Sequence, residues 1–430
     1  MLVQFSISNI LSFKEKVTFS LLTAPIKERD ERLSNNSTVF KKIALLKTAA
    51  IYGANASGKT NLIKGLQFFI DFILNRSNFI TEKDHTGIVP YLLNTESKSK
   101  PSEFEIIILK DVTYFTYSFS LTPNEVVSES FSIRKERESS VFKRIKGDYD
   151  IAAKYKIMNE ISKRKMIPKN SLLITKAAQF NEGIAIEFLK HLTELRIISG
   201  IDDFLYRDYT IEAINEDSFK NKIMELLTFA DSTISGLETV KAEGESITFH
   251  VNQEKANISR EKKVLPDIFV KKRIFDGAKI TQEEIRFNMM ALESEGTKKF
   301  FHISGPVIDC LLNGYTLFVD ELDTKLHPLL VKKIVELFHN PNTNPHQSQL
   351  VFTTHNTTLL SLKTFRRDQI WLVEKNEIGE SELYSLVDFK NGKNGIRNDE
   401  SLEKNYLIGK YGAIPFLASF DDFRLNEEIK

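Results

Sequence analysis

The sequence predicts an α/β fold, a parallel sheet carrying a phosphate-type loop joined to an antiparallel β subdomain and a mixed, largely helical insertion. Three observations predict it. The apolar run TAAIYG (48–53) passes straight into a glycine-rich turn and then into a helical apolar spacing. A second succession repeats the strand–helix–strand order of a parallel sheet: YTLFVDE (315–321), LLVKKIVELF (329–338) and SQLVFTTH (348–355). Between them, FEIIILKDVTYFTYSFSL (104–121) and ESFSIRK (129–135) are rich in β-branched and aromatic residues and read as antiparallel strands.

In chain order, LVQFSIS (2–8) and KVTFSLL (16–22) read as two strands joined by a turn, and residues 23–47 are polar with a small apolar patch. After the loop, Leu62, Ile63, Leu66, Phe69, Ile70 and Ile73 recur at helical spacing on one face. Residues 155–230, rich in Lys, Glu, Ile and Leu, predict several helices, and SITFHVNQ (246–253) is β-like. A helix is expected over about 296–312. There is no internal repeat, low-complexity tract or sustained heptad, so the insertion is expected to be globular or a short hairpin. The division expected is an N-terminal lobe at 1–135, an insertion at 136–280 and a C-terminal lobe at 281–430.

Composition narrows the function classes. The chain has 430 residues, 41% hydrophobic and 27% charged, enough for two domains or one domain with a large insertion. Lys plus Arg total 59 against 58 for Asp plus Glu, so no global field draws it to nucleic acid or an acidic membrane, and such contacts must be local. The lone Cys310 excludes an internal disulfide framework and a cysteine-rich zinc site. No apolar run reaches the roughly 18 residues of a membrane span, and MLVQFSISNILSF lacks the pattern of a signal peptide. A soluble, cytoplasmic protein is expected.

GANASGKTN (Gly53, Ala54, Asn55, Ala56, Ser57, Gly58, Lys59, Thr60, Asn61) contains G-x-x-x-x-G-K-[ST]. The glycines permit tight turns, the loop N–H groups point at phosphate oxygens beside a helix N-terminus, Lys59 would neutralise the β and γ phosphates, and Thr60 would offer its hydroxyl to Mg²⁺. ATP and Mg²⁺ are therefore the expected cofactors. YTLFVDELD ends an apolar strand in Asp320 and Glu321, where one carboxylate can hold the magnesium shell and the next can polarise a water. LVFTTHN delivers His355 to the carboxyl edge of a sheet, where its imidazole could sense a γ-phosphate or make a plain polar contact.

Taken in order, these pieces resemble the ABC-type ATPases of the SMC, RecF and OLD group. FSISNILSF (5–13) is similar to that group's N-terminal strand and turn, with Ile10 in place of an aromatic. LESEGTKKFF (292–301) resembles the ABC signature, with Ser294 at its serine, Gly296 at its second glycine and Glu295 replacing the first. VDELDTKLHP (319–328) joins the Walker B carboxylates to a D-loop position held by His327, and His355 falls at the switch histidine. More narrowly, KTAAIYGANASGKTNLIK, ESEGTKKFF, FVDELDTKLHP and YLIGKYGAIPF resemble AAA-family ATPases of the RloA and AbiLii type, associated with bacterial antiphage loci. The resemblance implies an ABC-type head that forms a homo-oligomer by sandwiching ATP between the loop of one copy and Ser294 and Gly296 of another. It also implies hydrolysis at Glu321 and a separately encoded effector, often a nuclease of the TOPRIM class.

The alternatives are a RecF-like ATPase that binds DNA in repair or recombination, and an autonomous nuclease. Against the latter, the stretch from Gln369 to Lys430 is too short for a TOPRIM domain, and the DDF pairs at 202–204 and 421–423 read as loops or helix starts. The basic runs SKRKMIPKN (162–170) and FVKKRIF (269–275) read first as solvated faces and second as contacts to phosphate.

Overall fold

Phe69 fixes the position of the first helix. In the computed structural model, β1 (Leu2–Ser8), β2 (Val17–Ser20), β3 (Ser37–Phe40), β4 (Ile43–Leu46) and β5 (Thr48–Gly53) lead into α1 (Lys59–Leu74). The Phe69 ring on α1 stacks on Phe119 at 5.3 Å and meets Phe5 edge-on at 5.7 Å. These partners lie in a seven-stranded antiparallel sheet of β1, β2, β6 (Ser102–Lys110), β7 (Thr113–Leu121), β8 (Val126–Arg134), β9 (Glu138–Ile145) and β10 (Asp148–Ile151), in the order β10-β9-β8-β7-β6-β1-β2. Alternation puts one face of β1, β6 and β7 against the helix. The structure describes residues 1–26, 31–41, 43–74, 85–252, 255–389, 396 and 400–415, without side chains at 31–32, 204–205 and 241–266. The pair at 421–423 lies outside these residues.

The chain folds as two compact units: Leu2–Leu192 with Thr353–Lys430, and Thr193–Phe352 with Met1. The first, which carries the phosphate-type loop, adds α2 (Lys156–Lys163), α3 (Leu173–Gln179) and α4 (Gly183–Thr193) to its sheet. Residue 135, the expected end of the N-terminal lobe, falls between the paired strands β8 and β9, so the antiparallel sheet continues through it.

The central unit starts with β11 (Leu195–Ser199), a strand inside the stretch expected to be helical. Five apolar-rich residues are too few for periodicity to separate strand from helix. After α5 (Phe204–Ala213) and α6 (Asp217–Ala230) come β12 (Ile234–Asn252), β13 (Lys255–Asp276) and β14 (Lys279–Asn288), a three-stranded antiparallel sheet. The β12–β13 hairpin runs in register from Gly236↔Lys271 to Asn252↔Lys255, longer than the globular insertion or short hairpin expected. Then follow α7 (Met289–Leu292), α8 (Glu295–Asn313), β15 (Thr316–Asp320), α9 (Pro328–His339) and β16 (Gln349–Thr353). Strands β11, β15 and β16 are parallel and β15 is fully buried, as a parallel strand covered on both faces requires. Helix α8 packs against α5 and α6.

The chain returns to the loop-bearing unit with β17 (Ile370–Lys375), β18 (Ser381–Ser385) and α10 (Leu402–Leu407). Strand β17 pairs in parallel with β5 and antiparallel with β18. Among the described residues, no helix is long and apolar enough to cross a membrane.

Candidate nucleotide loop and signature helix

The nine residues from Gly53 to Asn61 form one turn between a buried strand and the start of a buried helix. Gly58 has φ 120°, and a Cβ there would collide with Ser381 Oγ and lie 2.9 Å from Ser12 Oγ. A Cβ on Gly53 would run into the carbonyl of Val373 and come 2.6 Å from Ser57 Oγ. Both glycines are therefore required by close approach as well as by the turn. Ala56 takes the left-handed conformation at φ 60°, and the Ser57 N–H donates to Ala54 O at 3.2 Å.

A side-chain cluster braces the loop from behind. Ser381 Oγ donates to the Ser57 carbonyl at 2.5 Å and shares a hydrogen bond with Ser12 Oγ at 2.8 Å, and Asn61 Nδ2 donates to Ser12 Oγ at 2.8 Å. Ser12 and Ser381 carry no sequence signal as loop partners because they lie far from it in the chain.

The loop's donors fit a phosphate chain. Lys59, 5% exposed, directs its ammonium to the carbonyls of Gly53 at 2.9 Å and Ala54 at 3.0 Å, across the mouth of the turn. The Ser57 hydroxyl is buried and has no hydrogen-bond partner among the described residues. Asn55 and Ala56 are exposed, while Thr60 and Asn61 are half-buried on the first turn of α1. The Thr354 N–H donates to Ile51 O at 3.1 Å, which brings the exposed His355 next to the strand that ends in Gly53.

In the central unit, Asp320 ends β15, buried, and Glu321 follows in the left-handed conformation at φ 57°. Glu321 Oε2 accepts from Thr324 Oγ1 at 3.2 Å. The backbone here lies against Gly200: its N–H donates to Asp320 O at 2.5 Å, and a Cβ on Gly200 would collide with the Glu321 carbonyl. Gly200 holds the acidic turn by allowing β11 to approach it.

The ESEGT segment starts α8. Ser294 is the exposed N-cap, its Oγ accepting from the Thr297 N–H at 3.1 Å. Glu295 is gripped by Lys325 at 2.9 Å and Lys298 at 3.0 Å, and these two cations hold its carboxyl down at about 2. Lys325 lies in the turn after Glu321, and its carbonyl would be 3.1 Å from a Cβ on Gly296. The structure thus joins Ser294, Glu295 and Gly296 to the segment that follows the acidic pair. His327 caps α9, its Nδ1 accepting from the Leu329 N–H at 3.3 Å.

One turn on, Lys299 is 1% exposed, its ammonium donating to the Gly200 carbonyl and the Tyr206 hydroxyl. Burial pushes its pKa down to about 8. His302 Nδ1 pairs with Asp203 Oδ2 at 2.5 Å, so the DDF at 202–204 is engaged by a histidine. Burial holds the imidazole below its usual value against the pull of Asp203. No group of three or more His, Cys, Asp or Glu suited to a metal occurs among the described residues.

Comparison with known proteins gives a family. Residues 49–361 match the family described as "AAA domain, putative AbiEii toxin, Type IV TA system". No curated protein matches the chain. Among solved structures, the SMC head domain from Thermotoga maritima is similar at 12% identity and a TM-score of 0.42, covering 89% of this chain and 98% of that one. The recombination mediator protein RecF of the RecFOR pathway is similar at 11% identity and a TM-score of 0.27, covering 83% of this chain and 93% of that one. Because the match runs over more than half of its length, from the strand before the loop to beyond His355, the chain belongs to this family of AAA-domain proteins.

Proposed function

We propose that this chain binds and hydrolyses ATP with Mg²⁺, that two copies close as ABC-type heads around the nucleotide, and that closure regulates a separately encoded effector, a TOPRIM-type nuclease, in cytoplasmic antiphage defence. The observation that carries the reading is the loop itself: a buried lysine, an orphaned buried serine hydroxyl and a glycine with no room for a Cβ, all at the start of one helix.

Lys59 would set the β and γ phosphates, and the N–H groups from Ala54 to Asn61 would orient them. Thr60 and Asp320 would be the ligands of Mg²⁺, which when bound would supply positive charge to the same oxygens. Glu321 would hold and deprotonate the attacking water, and His355 would contact the γ-phosphate. Ser294 and Gly296, at an exposed helix N-terminus, would cap the nucleotide of a second copy. Glu295 fits such a place because Lys298 and Lys325 offset its charge. The family description, which speaks of a toxin–antitoxin system, supports a chain that works with a partner gene product.

The test is complementation between two dead variants. Lys59→Ala removes the loop cation, and Gly296→Asp sets a carboxylate against the partner's γ-phosphate. Each alone should lack turnover. Co-expressed as a tagged heterodimer, both lesions fall around one ATP and the other site is intact, so ATP-dependent association and part of the hydrolysis should return. Normal association and turnover by Gly296→Asp alone would show that ESEGT does not cap a partner's nucleotide.

A further inference from the structure

The two basic runs have different fates in the fold. In FVKKRIF (269–275), Lys271 is paired with Glu238 at 2.5 Å, and Lys272 with Asp231 at 2.7 Å and Glu293 at 2.8 Å. SKRKMIPKN (162–170) leaves α2 after Lys163 and lines a recess of about 600 Å³ together with the β9–β10 turn. That volume is in the range of small-molecule sites, roughly 300–1,000 Å³.

The wall carries Arg144, Lys146, Lys165 and Lys169 against one carboxylate, Glu125. Among the described residues, none of the three lysines makes an ion pair. Arg144 is paired with the buried Glu129, so the three lysines, set against Glu125 alone, are the local excess that an anionic ligand would relieve.

The Arg144 guanidinium is held in place. Arg144, 2% exposed, donates from Nη1 to Ser171 O at 2.6 Å and from Nη2 to Lys169 O at 3.3 Å, which ties the basic segment to β9. Glu129 lies 3.6 Å from its guanidinium and also accepts from Tyr117 Oη, Leu173 N and Ile174 N at 2.7–3.0 Å. Arg144 Nε is buried and has no hydrogen-bond partner among the described residues. Lys146, at φ 47°, and Gly147, at φ 91°, make the tight turn between the strands. Half-buried Tyr149 completes the wall, its ring centroid 5.5 Å from the Arg144 guanidinium carbon, beside apolar Val126 and Ile167.

We propose that this recess binds a nucleoside phosphate unit, with the phosphate taken by Lys146, Lys165 and Lys169 and the base by Tyr149 and its apolar neighbours. Cations alone would suit any polyanion; an aromatic ring and apolar wall beside them match a base joined to a phosphate. The recess shares no residue with the loop at 53–61, so this binding is separate from the proposed ATP site. The unit could arrive as a free nucleotide or as part of a single strand.

The test uses the full chain carrying Lys59→Ala, which silences the loop. Anisotropy of a fluorescein-labelled deoxythymidine oligomer of about ten nucleotides, within the usual span of single-strand sites, and calorimetry with AMP are compared with the same chain carrying Lys146→Glu, Lys165→Glu and Lys169→Glu, or Tyr149→Ala. At least one probe should bind the parent, with affinity falling as salt rises, and the triple variant should lose tenfold or more. Tyr149→Ala should lose fivefold or more. Binding of AMP assigns a free nucleotide; binding of the oligomer alone assigns a strand. If the triple variant melts early, Ser replaces Glu at the three positions. Failure of both probes to bind the parent, or undiminished binding by the triple variant, overturns the site; parent-like affinity of Tyr149→Ala overturns base recognition.

Discussion

The buried ammonium of Lys299 donates a hydrogen bond to the carbonyl of Gly200. Gly200 in turn donates its N–H to the carbonyl of Asp320. A helix that opens with Ser294 and a strand that ends in the acidic pair are therefore joined through one lysine and one glycine, both distant in sequence from the carboxylates.

Lys299→Met should lower turnover while leaving ATP affinity nearly unchanged, because Lys59 and its loop are untouched. The Gly200 carbonyl and Tyr206 hydroxyl lose their donor, a cost of about 1–3 kcal/mol per buried group. Melting, labelled-nucleotide binding and steady-state hydrolysis should be measured together. Unchanged melting and turnover would rule out a positioning role.

The same lysine predicts a pH dependence. Its pKa is about 8 in the folded chain against 10.5 unfolded, so between these values the unfolded chain binds more protons and stability from this group rises with pH. The difference in urea midpoint between wild type and Lys299→Met should be flat below about pH 8 and then shift in favour of wild type up to about 10.5. A flat difference across that window would mean the amine does not titrate there.

Glu321→Gln should bind ATP and turn it over roughly 10²–10⁴-fold more slowly, the usual contribution of a positioned general base. A stable ATP-bound dimer should accumulate on a sizing column. Wild-type turnover would remove Glu321 from the chemistry.

Gly58→Ala should abolish ATP binding and destabilise the chain by about 1–3 kcal/mol, since the new methyl meets Ser381 Oγ and the residue must hold φ 120°. Calorimetric titration with ATP and a thermal melt give the two readings. Retained affinity would show that the loop relaxes away from Ser381.

Lys325→Ala should release Glu295 from one of its two restraints, so its carboxyl should titrate above the present value of about 2. Carboxyl-carbon NMR on the wild type and variant reads this directly. ATP-driven association should weaken as well, because the helix N-terminus would then present a less compensated negative charge. An unmoved titration would mean that Lys298 alone holds the group.

What was legible in the sequence was local. TAAIYG, the glycine turn and the 3.6-residue spacing after it lie within one short stretch, so strand, loop and helix could be read there directly. Of the β12–β13 hairpin only SITFHVNQ reads as β-like, through the alternation of Ile247, Phe249 and Val251; the Lys- and Glu-rich remainder was hidden because it is defined mainly by backbone pairing. Ser12 and Ser381 behind the loop, and Gly200 and Lys299 behind the acidic turn, were hidden for another reason. Each acts through contacts made across tens to hundreds of residues, which no local spacing encodes.

The pairing of β5 with β17 has a consequence for synthesis. The glycine turn is finished when residue 61 leaves the ribosome, yet the Val373 carbonyl and Ser381 hydroxyl that shape it belong to strands made more than three hundred residues later. At about 5–20 residues per second, a nascent chain spends roughly a quarter of a minute to a minute with the turn built but unbraced. A polypeptide ending before β17 would carry the whole motif without the Val373 carbonyl and Ser381 hydroxyl that shape it.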